Sequence, residues 1–333
     1  NIFLYSAMHR IGNLPLTEEF LDIDPINLSM PIILSYSSDI KLRLKSAHFA
    51  YYNDLIGLDS LAALYQSVDF KYDELNSPTE FFSSSKHSPE IGMAYYYQLI
   101  NIQLLPITRL EAIIKFWDFA EKNNLEEIAY ELSIKNLNTI EPSNELAMSG
   151  SKIAKAYILN ENFIFAEKWL LFTENSIQDP NKLHSLNSSK LLYDLYSQDQ
   201  DSNLSEVLLN SLQYMNTNLL DNDNQSYELK IEILNLIFST LNNNDENPFI
   251  IEKKIIENKT MPSFFLLNNI RNAAKNNNQL RLLLNIILSM DGKNWNEIHP
   301  EHLRIILLGL KEYEDGLLIN DIILELLHAN KII

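Results

Sequence analysis

The sequence contains no cysteine among its 333 residues, and glycine occurs only seven times. Without cysteine there is no disulfide, no thiolate nucleophile and no Cys-ligated metal, while the redox compartment stays open. The few glycines form no G-x-S-x-G, P-loop or G-x-G-x-x-G motif. Acyl, phosphoryl and dinucleotide chemistry therefore lack their usual backbone devices. The sequence predicts no catalytic residue and no cofactor.

Basic residues and long apolar runs are also scarce. Twenty-six Lys and Arg stand against forty-four Asp and Glu, a net charge of −18, which argues against a nucleic-acid or anionic-membrane binder because both need a basic surface. The longest apolar stretch, LRLLLNIILSM at 280–290, is shorter than the ~20 residues of a membrane span. We expect no transmembrane segment in this chain. The chain begins at Asn1 without an initiator Met, so an N-terminal targeting segment or further domain stays open.

The seven histidines are dispersed, and their only close pair is His299 and His302 in the motif HPEH. A zinc pair on one helix face needs i, i+4 spacing, whereas this pair is i, i+3 and spans a predicted helix start. We predict that both histidines are surface capping residues and that the chain has no metal site.

From Asp39 onward, apolar residues recur at three- and four-residue spacing, which predicts amphipathic helices. Prolines suited to the first helical position occur at four predicted starts: Pro89, Pro106, Pro262 and Pro300. The short connections make neighbouring helices antiparallel, as in stacked hairpins. The sequence thus predicts an all-α fold, an α-solenoid of stacked antiparallel hairpins. The predicted helices are 39–56, 59–69, 89–103, 106–123, 126–138, 143–160, 163–177, 182–198, 203–217, 224–242, 248–257, 262–277, 279–290, 299–313 and 317–329.

Residues 1–38 lack this periodicity. Pro15, Pro25 and Pro31 divide the stretch into short pieces, and each proline biases the residue before it towards extended backbone. We predict an extended N-terminal arm over 1–38 with brief helical turns. The domain organisation is then this arm followed by a helical-repeat solenoid over 39–333.

The segment 143–177 has the spacing of a tetratricopeptide-like hairpin. Such a hairpin needs small residues where its helices cross and aromatic residues beside them, and the chain places Ala154, Tyr157, Phe163 and Ala166 at these positions. Glu161 occupies the turn position where the pattern usually has Gly, and Thr173 replaces a later small residue. Generic packing of a helical hairpin is the alternative explanation. Because the 34-residue period is not sustained, we expect an irregular array.

Three stretches carry a wider resemblance: GLDSLAALYQSVDF at 57–70, AYYYQLINIQLLPITRLEAI at 94–113 and PSNELAMSGSKIAKAYILNENFIFAEKWL at 142–170. Together they resemble an uncharacterised family of alphaproteobacterial helical-repeat proteins, some automatically labelled "antifreeze glycopeptide". The likeness covers roughly residues 40–175. It implies a bacterial helical scaffold, in the cytoplasm or the periplasm, and supplies no site residues.

Two surfaces are candidates for partner binding. On a tetratricopeptide-like hairpin the first helix lines the groove, which here predicts Met148, Ser151, Lys155 and Leu159 as partner-binding residues. The stretch 253–281 has six basic residues and a single acid, with Arg271 and Lys275 at i, i+4 spacing on one helix face. This basic strip is either a solvated surface or a docking site for an acidic partner.

Two functional classes follow. The first is a non-catalytic helical-repeat scaffold that presents its hairpins to a protein or peptide partner. The alternative is a helical accessory domain of a cell-envelope enzyme whose catalytic part lies outside this chain. The sequence indicates no oligomeric state.

Overall fold

The computed structural model describes residues 2–84, 87–176, 180–197, 207–213, 225–242, 259, 261–313 and 316–332. Within these ranges every regular element is a helix and there is no strand, so the all-α prediction is confirmed. The chain divides into two compact units, Asn1–Leu146 and Ala147–Ile333. Helices adjacent in sequence pack against each other within each unit. The solenoid arrangement stays a prediction.

The first unit is built from short and medium helices. They are α1 (Ile2–Ile11), α2 (Glu18–Ile23), α3 (Pro25–Ile33), α4 (Ile40–Tyr52), α5 (Leu58–Gln66), α6 (Tyr72–Asn76), α7 (Pro78–Ser84), α8 (Pro89–Ile102), α9 (Pro106–Glu121) and α10 (Glu126–Leu137).

A 3-10 helix, Asn144–Ser149, includes the boundary at 146/147, and the second unit contains a further 3-10 turn at Trp295–Glu297. Its α-helices are α11 (Gly150–Leu159), α12 (Phe163–Ser176), α13 (Pro180–Ser197), α14 (207–213), α15 (Gln225–Asn242), α16 (Phe264–Lys275), α17 (Gln279–Met290), α18 (Pro300–Glu312) and α19 (Gly316–Ala329).

The first 38 residues are helical, so the prediction of an extended arm is wrong. Pro25 begins α3, where the missing N–H removes no hydrogen bond, and Asp24 caps the helix by accepting from the Asn27 N–H. Helices α2 and α3 share a buried cluster with α4, and the first 38 residues belong to the unit that ends at Leu146. The cluster comprises Leu16, Phe20, Leu21, Leu28, Ile32 and Leu42.

Proline placed three helix starts correctly. Pro89, Pro106 and Pro300 each open a helix. Pro262 does not open a helix. The Ser263 side chain accepts from the Leu266 N–H and caps α16, which begins at Phe264. Helices α6 and α7 were not predicted because each is too short to show a period. The predicted helix 248–257 lies outside the described residues, as does part of 203–217.

Several helices end on a non-glycine residue with left-handed backbone. Glu161, in the turn between α11 and α12, has a φ of 55°. The turn therefore keeps a conformation that normally favours glycine, although the sequence offers Glu. The full set of such residues is Asn13, Asp54, Asn124, Glu161, Asn277, Asp291 and Lys331.

Glycine is used instead where helices approach closely. A Cβ atom on Gly150 of α11 would lie 1.8 Å from the Oγ1 atom of Thr173 on α12. Thr173 is fully buried, and its hydroxyl donates to the carbonyl oxygen of Trp169 at 2.6 Å. The repeat pattern expects a small residue at position 173, where this chain has Thr. Gly150 on the facing helix is the small residue at this contact instead.

Candidate functional site

Four residues of the hairpin 143–177 are predicted to line a groove, but they do not form one open surface. The backbone oxygen of Ser151 accepts from the Ser189 hydroxyl of α13 at 3.0 Å, and Ser151 is buried. Lys155 and Leu159 are half-buried on α11, whereas Met148 is exposed but lies in the preceding 3-10 helix. Helix α13 packs on the α11 face that includes Ser151, which leaves no open surface at that residue.

The two basic residues predicted on α16 are both exposed. Phe264, Asn268, Arg271 and Lys275 follow one another at i, i+4, i+7 and i+11, so they form a single strip along the solvent side of the helix. The structure thus gives the strip the exposure that partner binding requires. That the strip binds a partner stays a prediction.

Helix α17 carries an apolar stripe on its exposed side. Four large side chains on this stripe are between 50% and 71% exposed: Leu280, Leu284, Ile287 and Leu288. At 100° per residue they span an arc of about 100°. The residues that α17 buries lie on the opposite side, namely Leu282, Asn285, Ile286 and Ser289. The solvent side of the helix is therefore at least as apolar as its core side, which includes Asn285 and Ser289.

The apolar surface continues onto α16. Phe264 and Phe265, in the first turn of α16, and Met261 just before it are exposed. Only residues 276–278 connect α16 to α17 and the two helices pack together, so they are antiparallel and the start of α16 lies beside the end of α17. We name this surface the α16–α17 face. It comprises Met261, Phe264, Phe265, Leu280, Leu284, Ile287 and Leu288.

A cleft of about 300 Å³ lies at the end of this face where α16 begins and α17 ends. Met261 and Leu288 belong to both the face and the cleft. Asp291 and Lys293, which carry opposite charges, also line it. The cleft is therefore an extension of the apolar face with no strong charge of its own. Its full lining is Met261, Pro262, Ser263, Leu266, Leu288, Ser289, Met290, Asp291, Lys293, Ile298 and His302.

A buried histidine forms part of the cleft lining. The Ser289 hydroxyl donates to the Ile286 oxygen at 2.7 Å, and His302 Nε2 lies 2.8 Å from Ser289 Oγ. Because the serine proton is already donated, His302 donates to Ser289, the reverse of what activation of a serine nucleophile requires. Burial lowers the pKa of His302 to about 4, so the ring is neutral at pH 7. The pair links α17 to α18.

The two histidines of HPEH thus have different roles. His299 accepts from the Glu301 N–H at 3.1 Å and caps α18, as predicted. His302 is 1% exposed. The prediction of a surface capping role is therefore wrong for His302, because the first turn of α18 directs this side chain inward against α17.

The hairpin that bears the apolar face has no acidic residue. From Lys259 to Met290 the sequence contains no Asp or Glu. The Lys259 ammonium group donates to the Asn296 oxygen, and burial lowers the pKa of that lysine. Arg271, Lys275 and Arg281 are exposed. The local charge is therefore opposite to that of the protein as a whole.

The first unit contains a separate group of buried titratable side chains. His48 Nε2 lies 2.5 Å from the Tyr65 hydroxyl, and burial lowers the pKa of His48 to about 4 while it raises the pKa of Tyr65. The Tyr51 hydroxyl donates to Glu131. These bonds join α4 to α5 and to α10, so they stabilise helix packing within the unit.

Among the side chains that the structure describes, no group of three or more His, Asp or Glu residues is placed to hold a metal ion. In the same part of the chain, none of the helices has the length and hydropathy that crossing a membrane requires.

Comparison with known proteins gave no match. No protein-family model matches the chain, and neither the search of curated proteins nor the search of solved structures found a similar protein. The resemblance to the alphaproteobacterial helical family therefore stays a prediction.

Proposed function

We propose that this protein is a non-catalytic helical scaffold that binds a protein partner through the α16–α17 face. The observation that carries the proposal is the apolar stripe of Leu280, Leu284, Ile287 and Leu288, which is exposed beside two exposed phenylalanines. Contiguous apolar patches of this kind are uncommon on monomeric soluble proteins and mark interaction surfaces. Burying one such side chain fully stabilises a complex by about 1.5–3 kcal/mol.

The shape of the surface favours a helical or extended segment as the ligand. The stripe runs from Leu280 to Leu288, about 12 Å at 1.5 Å per residue. Its members follow the i, i+4, i+7 and i+8 spacing by which two helices bury apolar stripes against each other. The neighbouring cleft of about 300 Å³ offers a pocket at one end of the stripe, and such pockets hold the side chains that dominate binding energy.

Site-specific photocrosslinking in cells that naturally contain the protein tests this function. A photoreactive residue placed at Leu284 is expected to capture a partner protein, and one placed at exposed Lys115 of α9 is expected to capture none. Adding Ile287→Gln to the Leu284 probe should abolish capture, because the stripe loses apolar area without losing a core contact.

Two outcomes would overturn the proposal. One is capture at Lys115 but not at Leu284, which would place the working surface elsewhere. The other is capture at Leu284 that Ile287→Gln leaves undiminished, because the apolar stripe would then contribute nothing to binding.

A further inference from the structure

We infer that the α16–α17 face binds an acidic amphipathic helix of another protein. The inference rests on the proposed function and specifies the chemistry of its partner. The apolar side of the bound helix lies on the α17 stripe, and its carboxylates pair with Arg271, Lys275 and Arg281.

The positions of the basic residues support this pairing. On α17, Arg281 lies three residues before Leu284 and seven before Leu288, so helix geometry puts it at the edge of the stripe. On α16, Arg271 and Lys275 share the exposed strip that begins with Phe264. Apolar and cationic groups thus occur together on each helix. A helix that buries these apolar side chains therefore places the residues at the edges of its own apolar side next to Arg271, Lys275 and Arg281.

The net charge of the protein does not prevent this contact. An acidic segment is repelled by the overall charge of −18, but at physiological ionic strength charges more than about 8 Å away are largely screened. The charged residues from Lys259 to Met290 are all basic, and the next acid along the chain, Asp291, lines the cleft together with Lys293. The local field therefore selects carboxylates over ammonium groups.

Two other occupants fit the observations less well. A second copy joined by a two-fold axis would use the same surface on both sides, so the interface would contain Arg271, Lys275 and Arg281 twice and no carboxylate from residues 259–290. Apolar residues flanked by Arg and Lys also suit an anionic membrane. A membrane presents anionic groups over an area far larger than the hairpin, and the net charge of −18 opposes that contact, whereas a short helix needs the hairpin alone.

The cleft gives the bound helix a direction along the face. Because Leu288 belongs to both the stripe and the cleft, a helix on the stripe places one end over the cleft. A large apolar side chain at that end, such as Phe or Leu, would contact Met261 and Leu266 inside the cleft.

Defined peptides test the inference with the full 333-residue chain. The first peptide has 18 residues, with Leu and one Phe at the spacing of the stripe and Glu at the flanking positions. The second carries Lys in place of every Glu, and the third is a scrambled version of the first. Fluorescence anisotropy should show that the first binds at least tenfold more tightly than either of the others, and that added salt weakens it.

A matched pair of variants separates local charge from net charge. The combined change Arg271→Glu, Lys275→Glu and Arg281→Glu should weaken binding of the Glu peptide at least tenfold. The control Lys41→Glu, Lys115→Glu and Lys122→Glu alters net charge equally at exposed sites of the first unit, and it should change affinity by less than twofold. Equal losses in the two variants would mean that only net charge matters and would overturn the inference.

Further outcomes identify a different occupant and also overturn the inference. Equal or tighter binding of the Lys peptide, or no binding of any peptide, excludes the acidic helix. Capture by phosphatidylglycerol vesicles in preference to the Glu peptide identifies a membrane, and dimerisation that Leu284→Gln abolishes identifies a second copy. Protein crosslinking at Leu284 without preference for the Glu peptide would refute this inference and leave the proposed function standing.

Discussion

The second unit contains two helical hairpins that use apolar residues in different ways. In α11–α12, the large side chains Tyr157, Trp169 and Leu170 are buried, and α13 packs against both helices. In α16–α17, α18 packs against one side, while α17 exposes Leu284 and Ile287 to solvent. Both hairpins fold as amphipathic pairs. On the first hairpin α12 exposes Ile164 and Leu171, whereas the α16–α17 face has seven exposed large apolar side chains.

The difference shows that sequence spacing reports helix packing and not accessibility. Ala154 and Ala166 correctly marked helices that pack closely, since both are fully buried. The same spacing suggested a groove at Ser151, where the structure has α13. Which face of a hairpin stays exposed depends on the next helix that packs against it. The sequence of the hairpin alone does not show which face that helix covers.

Equivalent leucine truncations on the two hairpins should give the largest contrast. Leu170 is 4% exposed and Leu284 is 50% exposed. Leu170→Ala should lower the free energy of unfolding by about 2–5 kcal/mol because it leaves a cavity in the core. Leu284→Ala should change it by less than about 1 kcal/mol. Urea denaturation of both variants measures the difference, and similar losses would contradict the exposure of the α17 stripe.

A smaller effect should come from the helix contact at Gly150. Gly150→Ala should cost about 1–3 kcal/mol through overpacking against Thr173, partly offset by the better helix propensity of Ala, worth up to about 1 kcal/mol. The double variant with Thr173→Ala removes the group that the new methyl meets, so it should be more stable than the sum of the two single changes implies. Thermal or urea unfolding of all four proteins tests this, and strictly additive losses would rule out the contact.

A third effect should appear only on acidification. The pKa of His302 is near 4 in the folded protein and about 6.5 in the unfolded chain, so the unfolded chain binds more protons between these values. The contribution of His302 to stability is therefore complete above pH 6.5 and is lost as the pH falls towards 4. His302→Gln should lose less stability than the wild type between pH 7 and pH 4.5. An unchanged pH slope would show that His302 does not remain neutral when folded.

Helix positions followed well from the sequence where the signal was local. The period of apolar residues and the prolines at 89, 106 and 300 placed helix starts to within a few residues. In the first 38 residues the prolines predict breaks in helical structure, and hence an extended arm. In the structure Pro25 begins a helix whose side chains Leu28 and Ile32 are fully buried. That burial comes from contacts with other helices, and a rule based on proline positions alone takes no account of such contacts.

The candidate site was only half predictable. The basic strip of Arg271 and Lys275 was visible as a charge anomaly and is exposed. The apolar stripe was also present in the sequence at 280–288, but the leucines at 280, 282, 283 and 284 gave no indication of which faced the core. Only the packing of α17 against α16 and α18 distinguishes buried Leu282 from exposed Leu284.

The left-handed residues at helix ends have a consequence for engineering. A side chain in this conformation carries a steric penalty of about 1–2 kcal/mol, and glycine removes it at an entropic cost of roughly 0.5–1 kcal/mol. Glu161 and Lys331 have this conformation without the short polar side chain that lets Asn and Asp tolerate it. They are therefore suitable positions at which to raise the thermal tolerance of the protein by design. Both lie outside the α16–α17 face, so a variant with glycine at these positions would keep the proposed interaction surface unchanged.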